Sequence, residues 1–150
     1  TVQLTFHGTQ NRVEQCVMCH NSDLVDGTSK QSAQFATMIH RIHSGKELAA
    51  PYTLANLTWK EVGYPGVRSN CNGCHVNNSQ QLPLAAGLRD IQEPAGPIPS
   101  RKPMTNACTS CHATTAAVSH AFIHTAAVGE SCAVCHGPNA EFSVDKVHAQ

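Results

Sequence analysis

The sequence predicts one domain over residues 1–150, mostly irregular with a few short α-helices and little or no β-structure, built around something other than a side-chain core. Only 5% of its residues are aromatic, although it contains ten His and eight Cys. Five of its eight prolines lie within residues 78–103, where they exclude a helix interior and the centre of a sheet. We expect this proline-rich segment to form an extended strap, or alternatively a mobile linker.

Two segments have the pattern of helices. Between Ser32 and Gly45, apolar side chains recur at i, i+3, i+4 and i+7, namely Phe35, Met38, Ile39 and Ile42. This spacing predicts an amphipathic helix with Gly45 as its C-cap. An alanine-rich helix is predicted from Thr115 to Val128, closed by Gly129. Partial alternation of apolar and polar residues between Thr53 and Pro65 indicates a short strand or hairpin.

Composition and hydropathy exclude several classes of protein. The formal net charge is zero, so no basic surface for nucleic acid is expected. No apolar run approaches the roughly 18 to 20 residues that cross a bilayer, and no transmembrane segment is predicted. The first residues, Thr1 to Leu4, lack a charged region followed by an apolar stretch. We therefore expect a soluble, exported chain whose signal has been removed.

All eight cysteines belong to four Cys-x-x-Cys-His motifs. These are Cys16/Cys19/His20, Cys71/Cys74/His75, Cys108/Cys111/His112 and Cys132/Cys135/His136. Two thiols three positions apart can reach the two vinyl groups on one edge of a porphyrin and form thioethers, while the adjacent imidazole binds the iron. The motifs predict four covalently attached haem c groups with four proximal histidines.

Cysteine pairs also occur in three other kinds of site. Structural zinc is the strongest alternative, because twenty residues separate Cys111 from Cys132, which is the upper end of a zinc-ribbon spacing. Disulfides and redox-active Cys-x-x-Cys motifs are the others. None of them requires histidine after every second cysteine. The sequence thus favours a multihaem cytochrome c whose helices wrap around a haem stack, and we predict that the chain does not fold without haem.

Six histidines remain as candidate distal ligands, namely His7, His40, His43, His120, His124 and His148. Ligation by two histidines at each iron needs four of them. His40 and His43, three residues apart on the first predicted helix, can serve two different haems but not one haem twice. His120 and His124 share a face of the second helix at i and i+4. His148 can fold back over a haem, or else be a terminal residue without a ligand role.

Two histidines on each iron leave no open coordination position, which indicates electron transfer rather than catalysis. Two imidazoles also imply a low reduction potential. Eight haem propionates would make the protein anionic, which favours basic partner proteins or mineral surfaces. The alternative is a multihaem reductase of a small oxyanion, which requires one five-coordinate iron. It is disfavoured because the candidate distal histidines outnumber the haems.

Several segments together resemble a known family. They are Phe6–Gly8, Val13–Cys16, Cys19–Asn21, Met38–His43, Val62–Gly66, Asn70–Cys71, Ser119–Ala121, Gly129–Pro138, Glu141–Val144 and Val147–His148. Over most of its length the chain resembles the OmcA/MtrC-type outer-surface decahaem c-type cytochromes of metal-respiring bacteria, in particular their C-terminal haem domain. The resemblance implies respiratory electron export, a location outside the cell or on its outer surface, otherwise the periplasm, and redox partner cytochromes or extracellular acceptors.

The resemblance also implies the distal role for His7, His40, His43, His120 and His148, and favours His120 over His124. Family haem domains commonly hold five haems, with one more motif upstream, and this chain lacks that motif. Five distal histidines therefore face four irons. We predict that His7 ligates a haem outside the chain, in an upstream segment or an adjacent subunit. The chain would then be one link of a larger haem array or of a head-to-tail filament.

Overall fold

The computed structural model describes residues 12–148. Within them lie six α-helices: α1 (Val13–Cys19), α2 (Phe35–Ser44), α3 (Pro103–Thr109), α4 (Thr115–Ile123), α5 (Ala133–His136) and α6 (Val144–Val147). Six two-residue strands form three antiparallel pairs: β1 (Thr53–Leu54) with β2 (Leu57–Thr58), β3 (Ile91–Gln92) with β4 (Ser100–Arg101), and β5 (Thr125–Ala126) with β6 (Gly129–Glu130). The expectation of little or no β-structure is therefore wrong, although much of the described chain is irregular. Strands of two residues are too short to produce a detectable alternation of apolar and polar residues.

The β1–β2 hairpin confirms the one indicated between Thr53 and Pro65. Thr53 pairs with Thr58 and Leu54 with Leu57. The two residues of the turn, Ala55 and Asn56, have φ values of 50° and 63°. Positive φ at both central residues gives a turn whose twist matches that of the flanking strands.

Helix α2 confirms the amphipathic helix predicted between residues 32 and 45. It begins at Phe35, because the Gln34 side chain accepts a hydrogen bond from the Thr37 N–H at 2.9 Å. It ends at Ser44, with Gly45 as the C-cap. A Cβ on Gly45 would lie 2.3 Å from the carbonyl oxygen of Trp59, so only glycine lets this segment approach the helix so closely.

Helix α4 is shorter than predicted, because the chain from Thr125 onward forms the β5–β6 hairpin instead of continuing to Val128. The hairpin places the Glu130 carboxylate at the beginning of α3, where it accepts hydrogen bonds from the backbone N–H groups of Met104 and Thr105. The Thr125 hydroxyl also lies 2.6 Å from that of Thr105. These contacts satisfy N–H groups that a helix leaves unpaired, and they outweigh the helix propensity of the segment.

The proline-rich segment consists of turns and bends with the β3–β4 hairpin, and it is hydrogen-bonded to earlier parts of the chain. The Gln92 N–H donates to the Ser22 carbonyl, and the Ala95 N–H donates to the Lys30 carbonyl, both at 2.9 Å. The segment ends where Pro103 occupies the first turn of α3, a position at which its missing N–H costs nothing. The predicted extended strap is therefore wrong for the second half of the segment, because the chain reverses direction between Gln92 and Ser100.

The interior of the described chain is small and polar. Its buried apolar side chains are Ala33, Tyr52, Leu82 and Ile91. Arg41 and Glu93 form an ion pair of 3.0 Å, with side chains 12% and 3% exposed. Large apolar side chains such as Phe142 and Val147 remain about half exposed. The side chains alone therefore bury little apolar surface for a chain of this length.

Candidate haem-binding sites

Each of the four motifs forms one helical turn. The N–H of the motif histidine donates to the carbonyl of the first cysteine, at 2.8 Å from His20 and His75 and at 2.9 Å from His112 and His136. One such turn brings positions i, i+3 and i+4 to the same side, so two thiols and an imidazole face one way. None of the eight cysteines is in a disulfide. This is the arrangement that attachment to one porphyrin edge requires.

Three motif histidines face a predicted distal histidine. The ring centroids of His75 and His40 are 6.0 Å apart, those of His112 and His148 6.0 Å, and those of His136 and His120 6.1 Å. A metal–imidazole bond is about 2 Å long, so two imidazoles on opposite sides of one metal ion have centroids roughly 6 Å apart. The three pairs therefore have the separation expected for two histidines that bind one metal ion from opposite sides.

Two of these pairs, His112 with His148 and His136 with His120, line one cavity of about 540 Å³. Cys108, Cys132 and Cys135 line the same cavity. Its apolar wall includes Leu82, Phe142 and Val147. Apolar side chains around histidines that bind a cofactor exclude water from it and leave only a few polar groups to orient it. The donor set and the wall fit haem c.

The motifs also lie next to one another. Burial raises the pKa of the Cys108 thiol to about 11, and the nearby Cys132 thiol contributes to the increase. Burial likewise raises the pKa of Cys71, whose neighbours include Cys111. The Ser44 hydroxyl at the end of α2 donates to the Cys111 sulfur at 3.3 Å. The motif at 108–112 therefore adjoins both the motif at 71–75 and the motif at 132–136.

Several ring nitrogens already have partners that leave Nε2 for a metal. The Nδ1 atoms of His20, His136 and His148 lie 2.7, 2.8 and 2.8 Å from the carbonyl oxygens of Ala33, Phe142 and Val144. The Nδ1 atom of His75 lies 3.1 Å from the Ser79 hydroxyl. Such bonds hold a metal-binding imidazole in one tautomer and one orientation.

Sequence reasoning missed all four acceptors. Ser79 follows His75 by four residues, a spacing that places the two on one side of a turn and could have pointed to it. The three carbonyl acceptors have no signal in the side-chain sequence.

Burial also lowers the pKa of His40, and the neighbouring His75 and His43 lower it further. The neutral form, which is the form that binds metals, is favoured.

The other predicted ligands occupy distinct places. The His43 ring packs against the ring of Tyr64, with centroids 5.2 Å apart. His124 is the C-cap of α4 and lines the cavity, with its ring 4.8 Å from that of His120. His20 is the C-cap of α1. His7 lies outside the described residues.

In residues 12–148, no three side chains of His, Cys, Asp or Glu converge as a metal-binding group. None of the helices within residues 12–148 has both the length and the hydropathy that a membrane crossing needs.

The chain was compared with known proteins. None of the curated proteins matches it. A family model described as outer membrane cytochrome MtrC/MtrF-like, domains II/IV, matches residues 1–149. Cytochromes of this type carry haem c and transfer electrons at the outer surface of the cell. The chain belongs to the MtrC/MtrF-like outer membrane cytochromes and is an extracellular electron-transfer protein.

Proposed function

We propose that the chain is a tetrahaem domain that carries electrons through four c-type haems, one at each motif, with every iron held between two histidines. The proposal is carried by the three facing pairs with centroids 6.0 to 6.1 Å apart. In it, His40 serves the haem at 71–75, His148 the haem at 108–112, and His120 the haem at 132–136. His124 is the substitute for His120, because it lines the same cavity.

The side chains have three tasks in this mechanism. Each bound haem supplies a one-electron iron couple. The paired imidazoles would hold each iron from both sides, so that its oxidation state could change with little movement of the ligands. Hydrogen bonds from Nδ1 keep the rings oriented. The apolar wall of Leu82, Phe142 and Val147 keeps water away from two of the four sites.

The order of the motifs supports a continuous path. Because the 108–112 motif neighbours both of the others, we propose that electrons pass between the 71–75 and 132–136 haems through the 108–112 haem. The shared cavity of the last two pairs supports a close approach at that step. The direction of flow follows from the partners, which we propose are redox cytochromes on one side and mineral or other extracellular acceptors on the other.

Two distal candidates remain for the iron bound by His20, namely His7 and His43. Whichever is not used there is available to a haem outside the chain. We propose His7 for this outer role, as the link to a larger haem array or filament, with His43 as the competitor. His7→Ala should then weaken association and leave four low-spin haems, whereas His43→Ala should leave one iron without its distal ligand. The reverse result assigns the outer haem to His43, and four unchanged haems with unchanged association in both variants reject the link.

The whole proposal is tested on the haem-loaded protein. Intact mass should show four covalently attached haems, and electron paramagnetic resonance of the oxidised form should show only low-spin iron. Addition of cyanide or nitrite should leave the spectrum unchanged. A colourless protein, or stoichiometric binding of either anion at one iron, contradicts the proposal; binding of nitrite with turnover would favour an oxyanion reductase.

A further inference from the structure

We infer that the haem at Cys71 and Cys74 is the most easily reduced of the four, because its two axial histidines lack a carbonyl acceptor at Nδ1. The inference rests on the pairing of His40 with His75 in the proposed function. The inference goes beyond that pairing, because it names the haem that is reduced first. Neither the motifs nor membership of the family determines this.

At least one axial histidine of every other site has a short bond to a backbone carbonyl. In the 16–20 motif this histidine is His20, in the 132–136 motif it is His136, and in the 108–112 site it is His148. Their Nδ1 atoms lie 2.7 to 2.8 Å from the carbonyl oxygens. With Nε2 on the metal, Nδ1 carries the proton and donates it to the oxygen.

The 71–75 site differs at both of its histidines. The Nδ1 atom of His75 lies 3.1 Å from the Ser79 oxygen, which belongs to a hydroxyl and not to a carbonyl. The Nδ1 atom of His40 is buried and has no hydrogen-bond partner. Because this atom is inaccessible, water does not replace the missing acceptor.

These bonds change how strongly an imidazole donates electrons to iron. An acceptor on Nδ1 raises the basicity of the ring, and a more basic ligand stabilises the ferric state over the ferrous state. The longer bond to a hydroxyl on His75 and the absent acceptor on His40 both reduce this stabilisation. The ferric iron at 71–75 therefore gains an electron at a higher potential than the irons at the other motifs. The Nδ1 protons stay in place, so only the electron moves.

The location of the site gives this difference a role. The 71–75 motif adjoins the 108–112 motif, which in turn adjoins the 132–136 motif. An electron that enters these haems is held preferentially at 71–75 until an acceptor or a further electron is present. The domain thus stores its first electron at one defined haem.

The test replaces the hydroxyl acceptor with a stronger one. Ser79→Asp places a carboxylate four residues after His75, where it can accept the Nδ1 proton. The matched control, Asn78→Asp, adds the same charge on the neighbouring exposed residue. Haem-methyl signals are followed by nuclear magnetic resonance during a redox titration of the haem-loaded protein. The 71–75 haem is assigned by the signals that are altered in a His40→Ala variant.

In the unmodified protein, the 71–75 signals should be the first to change on reduction. Ser79→Asp should lower the fraction of reduced 71–75 haem at fixed potential by about tenfold, equivalent to about 59 mV for a one-electron couple. Asn78→Asp should change it far less. If all four haems are low-spin and doubly histidine-ligated, but another haem is reduced first or both variants shift equally, the inference alone fails. A high-spin haem at 71–75 would reject the pairing itself and the inference with it.

Discussion

The imidazole of His40, on α2, lies near that of His75, with centroids 6.0 Å apart and ring planes inclined by 22°. Thirty-four residues separate them in the chain. The pair joins the helix that also carries His43 to the motif at 71–75. Helix α2 in turn contacts the next motif through Ser44 and Cys111.

Replacing His40 with Ala should remove one axial ligand and leave the other haems unchanged. We expect one of the four irons to become high-spin and to bind cyanide stoichiometrically. Electron paramagnetic resonance and an optical cyanide titration measure this. His124→Ala is the matched control and should keep all irons low-spin. A His40→Ala protein without any high-spin iron would show that another residue ligates this haem.

His124 should be able to replace His120, because the two rings lie 4.8 Å apart in the same cavity. We expect His120→Ala to retain four low-spin haems, with an altered spectrum at one of them. The double variant His120→Ala/His124→Ala should contain one high-spin haem. Loss of low-spin iron in the single variant would show that His124 cannot reach the metal.

Glu93 should be essential for stability, because its buried carboxylate accepts hydrogen bonds from Arg41 and from the Ser32 N–H. Glu93→Gln leaves the Arg41 guanidinium buried without its counter-charge, and we expect a loss of about 3 to 5 kcal/mol in the free energy of unfolding. Guanidinium titration of the haem-loaded protein measures it.

The matched control for Glu93 is the exposed ion pair between Asp23 and Arg89, with side chains 51% and 73% exposed. Asp23→Asn should cost less than about 1 kcal/mol, because an exposed pair is screened by solvent. Equal losses in the two variants would indicate that burial of the Arg41–Glu93 pair contributes nothing to stability.

Gly45 should not tolerate a side chain. Its Cβ would lie 2.3 Å from the Trp59 carbonyl oxygen and 2.7 Å from that of Val62. We expect Gly45→Ala to destabilise the protein by about 1 to 3 kcal/mol, because backbone atoms must move. Gly27→Ala is the control, since no atom lies within 4 Å of its Cβ position. Midpoints of thermal unfolding compare them, and similar values for both variants would contradict the close approach.

Asp26 should make stability depend on pH at the acidic end. The backbone N–H of Ala55, followed by that of Ser29, lowers the pKa of this carboxyl from 3.8 to about 2. A lowered pKa means that the folded state favours the charged form, so the contribution is complete above pH 3.8 and is lost as pH falls through 2. Asp26→Asn should show a smaller fall in unfolding midpoint between pH 4 and pH 2 than the unmodified protein. Parallel curves would show that the carboxylate stabilises nothing.

Much of the candidate site could be predicted from the sequence because it is local. In each motif, thiols and imidazole lie within one helical turn, so spacing alone indicates one porphyrin edge. The amphipathic pattern predicted α2, and the capping role of Gly45 followed from the same segment. The β5–β6 hairpin could not be predicted, because Glu130 there satisfies the N–H groups of a helix that begins twenty-seven residues earlier.

The sequence by itself determined where the four Cys-x-x-Cys-His motifs lie and which residue types can bind a haem iron, since the spacing of a motif depends only on neighbours in the chain. Only the tertiary structure decided that His40 faces His75 and that His148 faces His112, because ring-to-ring separation depends on contacts between distant segments. It alone also decided which ring nitrogens meet a carbonyl. Backbone oxygens are the same in every residue, so their positions come from the fold and not from the side chains.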